Sequence, residues 1–188
     1  MRRTPRSRDQ RGTALIELAF VLPILLLLLL GTIDFGHLIQ TRLVMTNVAR
    51  EGASLASRQA PVDPNITNLL VASGRPLRLD GADGRVYVTR IKAGLTEQDP
   101  QPTITDQITA GGLGVSSRIA DAALRLGLTQ PVFDHLVFDA DNGTADISEV
   151  TIVEIYYRYR PITPFPNFAG GLLRGSGNGM IISSRAVF

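Results

Sequence analysis

The chain has 188 residues, no cysteine, and a formal charge of +2 from 19 basic and 17 acidic side chains. That length allows one anchor and one modest domain, and without cysteine neither a disulfide framework nor a thiolate metal site can form. The charge is unevenly placed. Residues 1–12 hold five arginines and one aspartate, so the remainder carries 14 basic and 16 acidic groups, a net −2, which removes the basic surface a nucleic-acid binder needs.

The first predicted element is a membrane span. Ala14–Ile33 is 20 residues with one charge, Glu17. As a helix it reaches roughly 30 Å, the thickness of a bilayer's hydrocarbon core. Arg2, Arg3, Arg6, Arg8 and Arg11 precede it, whereas Asp34 comes first beyond it and the next arginine is Arg42. Positive-inside bias then places the N-terminus in the cytoplasm and residues 34–188 outside the inner membrane. A cleaved secretory signal would have a shorter apolar core and a small-x-small cut; G-T-I-D-F-G-H offers none.

Helical patterning continues past the span. Leu38, Thr41, Met45, Val48, Gly52 and Leu55 recur at steps of three or four, with Arg42, Arg50, Glu51 and Arg58 largely off that stripe. One helix from about Ala14 to Ser57 follows, with Gly31 and Gly36 as bending points and Pro61 and Pro64 as its end.

Residues 61–84 read as loop with a short element at Leu69–Ala72. Leu77–Leu79 and Val86–Ile91 suggest a hairpin turning at Asp83-Gly84. Gln98–Thr103 reads as a surface loop. Ser117 is placed to cap a short helix through Leu126, with Asp121 in its first turns and Gly127 as the stop. Leu136–Phe138 and Val150–Tyr159 are the best strands, joined by the turn chemistry of D-A-D-N-G-T-A-D. In the second strand Val153, Ile155, Tyr157 and Tyr159 share one face and Glu154, Arg158 and Arg160 the other. Pro161 and Pro164 end it. A glycine-rich loop, 170–179, leads to a last strand, Met180–Phe188.

The expected class is therefore α+β: a long N-terminal helix, transmembrane in its first half, and a small antiparallel sheet of about four strands packed on its outer half. The segments are a basic leader (1–12), a transmembrane plus amphipathic helix (13–58) and an extracytoplasmic domain (61–188).

Three local patterns carry a family resemblance. They are G-T-A-L-I-E-L-A at Gly12–Ala19, L-P-I-L-L-L at Leu22–Leu27 running on to G-T-I-D-F-G at Gly31–Gly36, and N-V-A-R-E-G-A at Asn47–Ala53. A cut after Gly12 would make Thr13 the first residue and Glu17 the fifth. This arrangement resembles a type IV prepilin and, more closely, the TadE-like minor pseudopilins of the tight adherence (Flp) pilus. The tyrosine-rich strand, P-x-x-P turn and short final strand also resemble that family. Its members are expected to be cleaved by a prepilin peptidase and to take part in pilus assembly and surface adhesion. The partners implied are that peptidase, the inner-membrane assembly platform, other pilin or pseudopilin subunits and membrane lipid, with no nucleic acid.

The resemblance gives Glu17 a role in subunit register or peptidase recognition, its carboxylate neutralising a neighbour's new α-amine. Its bland alternative is a glutamate that snorkels to the headgroups. Gly12 and Thr13 form the processing site, since a small residue lets a peptidase approach the backbone. Pro23 marks a kink, either used in packing or neutral.

Other candidates are weaker. Asp139–Asp146 departs from calcium-loop spacing, so a turn on Asn142-Gly143 accounts for it better. His37 and His135 have no second histidine or cysteine pattern for zinc or a triad. The glycine clusters lack the G-K-[ST] of a phosphate loop. No enzyme and no cofactor is expected. The alternative function from a different class is a single-pass membrane-anchored binding or sensor module.

Overall fold

The computed structural model describes residues 9–58, 64–163 and 179–188. The leader up to residue 8, Pro61, Pro164 and most of the expected 170–179 loop lie outside them. The chain forms two compact units, one of residues 1–39 with 160–178 and the other of residues 40–159 with 179–188.

One helix, α1, runs from Asp9 to Ala56. The helix is continuous through Pro23, Gly31 and Gly36. From Leu15 to Leu29 its large apolar side chains are 41–74 % exposed. The most apolar stretch has a mean hydropathy of 2.7 and none of it is buried. Such a helix is long and apolar enough to cross a bilayer.

In the first unit, Asp34 stands one residue beyond that span. It accepts backbone N–H bonds from Ile162 (2.9 Å) and Thr163 (3.0 Å), and a third from the Thr163 hydroxyl. This ties the turn of α1 that follows the apolar stretch to the turn opened by Pro161.

The second unit is built on a four-stranded antiparallel sheet of order β2-β1-β3-β4, with β1 Gly84–Lys92, β2 Thr103–Ala110, β3 Glu149–Tyr159 and β4 Met180–Val187. Directly paired residues share a face. Val86, Val88 and Arg90 of β1 therefore lie beside Ile155, Val153 and Thr151 of β3, and beyond these Ser184 and Ala186 of β4.

That face receives the outer half of α1. Met45, Val48, Ala49, Ala53 and Ala56 are buried there, spaced along one side of the helix. Two bonds locate the contact: Ser184 Oγ to Thr46 Oγ1 (3.4 Å), and the Arg90 guanidinium to the Ala56 carbonyl (2.7 Å). The last turn of α1 has no basic residue of its own. Arg90, supplied from the sheet, meets the negative helix end instead.

A second helix, α2 (Pro64–Ser73), begins with proline at its first position, where the missing N–H costs nothing. It buries Ile66, Thr67 and Leu70. The opposite sheet face carries a core of Ile91, Val150 and Ile152 under Ile119, Leu126, Leu128 and Leu136. The covering chain holds a 3-10 turn, Leu124–Gly127, and a short helix, α3 (Gln130–Asp134).

The architecture agrees with the expected α+β class, but several elements differ. Leu77–Leu79 is not a strand; β1 instead turns back through β2, which alternation of apolar residues did not disclose. Leu136–Phe138 is not a strand either, and Leu136 plugs the second core. Ser117–Leu126 is not a helix. Arg125, Leu126 and Gly127 have φ of 51°, 54° and 75°, and three consecutive left-handed residues cannot continue a right-handed helix. The element at Leu69–Ala72 is part of the longer α2. Leu55 is exposed; Ala49, Ala53 and Ala56 complete the buried stripe. Glu154, placed on a polar strand face, is 2 % exposed.

Candidate functional site

The residues expected to matter lie on the first turns of α1. Gly12 is exposed, and nothing lies within 4 Å of a Cβ added there. Thr13 and Glu17 are exposed, and a separation of four places them one turn apart on a common helix face. Pro23 lies within the same helix. Thr13 and Glu17 thus stand one turn apart on α1, and a Cβ added at Gly12, itself within the helix, would meet no other part of the described chain.

The N-V-A-R-E-G-A motif divides between two surfaces. Val48, Ala49, Gly52 and Ala53 are buried, whereas Asn47, Arg50 and Glu51 are exposed. A Cβ at Gly52 would lie 2.2 Å from Leu70 Cδ2. Glycine here is a packing requirement: it lets α2 approach α1. Asp34, in G-T-I-D-F-G, had no local signal for its role, because its partners lie 128 and 129 residues away.

A buried polar cluster sits on the other sheet face. Glu154 accepts the Ser117 hydroxyl, the Arg118 N–H (3.3 Å to each oxygen) and the Tyr156 hydroxyl (3.1 Å). The Ser117 oxygen also accepts the Ile119 N–H at 3.0 Å. Gln107 donates to Thr89 Oγ1 (2.9 Å) and to the Ile119 carbonyl (3.1 Å). Burial, and then the Glu154 carboxylate beside it, push the Tyr156 phenol up to about 12. The cluster fastens residues 117–119 to the sheet.

The Asp139–Asp146 stretch is a turn: Gly143 N–H bonds to the Asp139 carbonyl (2.9 Å), with Gly143 at φ 69°. His135 Nδ1 pairs with Asp146 Oδ2 at 2.8 Å on the surface. Among the described residues no three His, Asp or Glu side chains are grouped to hold a metal.

An apolar helix able to cross a bilayer, with a four-stranded antiparallel sheet packed on its outer half, defines a membrane-associated α+β protein of pilin-like plan. Residues 12–54 match the family model of TadE-like proteins, which supports reading the chain as TadE-like over that segment. TadE-like proteins are not known enzymes. No curated protein and no solved structure gives a match. The matched segment spans the membrane half and most of the outer half of α1, and ends before the sheet begins.

Proposed function

We propose that this chain is a minor pseudopilin of a tight adherence (Flp) pilus, cleaved after Gly12 by a prepilin peptidase and taking part in pilus assembly and adhesion. The observation that carries this reading is the junction itself. The TadE-like match begins at residue 12, where an exposed glycine precedes Thr13 and Glu17 on one helix face.

Cleavage exposes the α-amine of Thr13, whose reference pKa is about 7.7–8.0, so it is mostly protonated at neutral pH. Within an apolar bundle an ammonium and a carboxylate are each costly alone, and pairing offsets that cost. Four residues of helix rise about 6 Å. For parallel helices in contact, the amine of one subunit therefore meets Glu17 of its neighbour when the two are staggered by about one turn. The leader stays in the cytoplasm and the sheet unit lies outside the inner membrane. The partners are the peptidase, the assembly platform, other pilin-type helices and lipid.

Mass spectrometry of the protein extracted from membranes tests the cut. In cells with a working prepilin peptidase the mature chain begins at Thr13. An intact Met1, or a start beyond Ile33, would sink the reading. Glu17→Ala should insert normally and fail in pilus biogenesis; wild-type piliation in that strain would leave Glu17 as a snorkelling side chain.

A further inference from the structure

Pro161, Ile162 and Thr163 divide their polarity sharply. Pro161 has no N–H. The N–H groups of Ile162 and Thr163 both bond to Asp34 Oδ1, at 2.9 and 3.0 Å, and the Thr163 hydroxyl bonds to Asp34 Oδ2. Every N–H of the turn is therefore spent on one carboxylate of α1. The Ile162 side chain, by contrast, is 65 % exposed. One exposed isoleucine is ordinary on a water-facing surface. Its level along α1 is what sets it apart.

That level is fixed by the bonds themselves. Asp34 and the turn belong to one compact unit, residues 1–39 with 160–178. Asp34 follows Ile33, where the apolar run ends. A helix rises about 1.5 Å per residue, and the headgroup layer on each side of the hydrocarbon is about 5–7 Å thick. With α1 across a bilayer, Asp34 stands in that layer, and its hydrogen bonds hold residues 162 and 163 at the same depth. Phe35, next along the helix, is 64 % exposed, and Ile33 is exposed as well.

The pairing suits that depth. Towards the hydrocarbon water becomes scarce, and a backbone N–H must find its partner within the protein. A carboxylate is costly there unless hydrogen-bonded. Here the donors satisfy the charge and the charge satisfies the donors, which leaves apolar side chains facing outward.

We infer that the Pro161 turn is a second membrane contact, held in the headgroup layer by Asp34, with Ile162 and Phe35 against lipid. Lipid fits better than a protein partner because this surface continues the exposed apolar surface of α1, which runs from Leu15 through Leu29 to Ile33. The contact requires α1 to cross a bilayer. It is independent of cleavage after Gly12 and of Glu17.

The chain has no tryptophan, so a single introduced tryptophan reports alone. The full chain is reconstituted in vesicles of phosphatidylcholine and phosphatidylglycerol, with phosphatidylcholine brominated either near the headgroups or near the bilayer centre. Leu25→Trp, within the span, should lose more emission to the deep bromines. Ile162→Trp should lose more to the shallow ones. Adding Asp34→Ala removes all three bonds and should abolish most of the quenching at 162. Asp34→Asn keeps Oδ1, which receives both backbone bonds, and should preserve that quenching although the charge is gone. Quenching of Leu25→Trp should be the same with and without Asp34→Ala. Circular dichroism establishes that all variants remain folded. An unquenched Ile162→Trp beside a quenched Leu25→Trp would overturn the inference while leaving the span intact. So would quenching at 162 that survives Asp34→Ala, an Asp34→Asn variant that behaves like Asp34→Ala, or a span that changes depth with Asp34→Ala. An unquenched Leu25→Trp would instead overturn the span itself, and the contact with it.

Discussion

Removing the Glu154 carboxylate should be among the most destabilising single changes in the sheet unit. In Glu154→Ala three donors lose their acceptor: the Ser117 hydroxyl, the Arg118 N–H and the Tyr156 hydroxyl. A buried donor left without a partner costs about 1–3 kcal/mol. Ser117 is half-buried and Arg118 exposed, so water can reach part of the site, and the lower figure applies to each. With the lost packing of the truncated side chain the total is about 3–5 kcal/mol, against about 5–15 kcal/mol for a whole domain. Glu154→Gln keeps one acceptor oxygen and should cost about 1–3 kcal/mol.

Urea unfolding of the full chain in mild detergent, followed by circular dichroism, measures both. Tyr156 gives an independent readout. Its folded pKa, about 12, lies above the unfolded value near 10, so the stability linked to it is fully present below pH ~10 and is lost as pH rises through ~12. Ultraviolet titration, with Tyr156→Phe as the control, should show Tyr156 ionising late in the wild type. In Glu154→Gln it should ionise earlier, but still above pH ~10, because burial is the larger cause. A Glu154→Ala loss below about 1 kcal/mol, or a Tyr156 titration unmoved by Glu154→Gln, would refute the assigned network.

Gly52→Val should destabilise by about 1–3 kcal/mol through overpacking, since even its Cβ meets Leu70 at 2.2 Å. Gly52→Ala should cost less, because alanine regains about 1 kcal/mol of helix propensity; a neutral valine in denaturant titration would count against the close α1–α2 contact. Residues 61–188 alone should lack a cooperative melt, while residues 36–188 should show one. The missing wall includes Met45 and Val48, each worth about 1.5–3 kcal/mol of burial, and the Ala56 carbonyl that binds Arg90. Equal midpoints for the two fragments would mean that the sheet closes its own core.

Local chemistry was enough for several features. The span follows from an apolar run of bilayer length, the outer stripe from helical spacing through Met45, Val48 and Gly52, and the end of β3 from Pro161. The turn at Asn142-Gly143 and the final strand are equally local, because each depends on residues a few positions apart. Other features depend on pairs far apart in the chain. β3 reads as a strand with one apolar face, yet both faces are covered, so Glu154 is buried where alternation placed it outside. Ser117 was legible as a capping residue, but its hydroxyl serves Glu154, 37 residues on, instead of a helix. β2, polar and alternating only weakly, becomes a strand because β1 offers it a ladder. Asp34 acquires its three donors from a turn 128 residues later. The amino-acid sequence by itself determined the anchor, its single charge and the helical stripe, since periodicity and proline act within a few residues. Tertiary structure alone decided which polar groups are buried and why Gly52 must be glycine, since these depend on which distant segments are packed together.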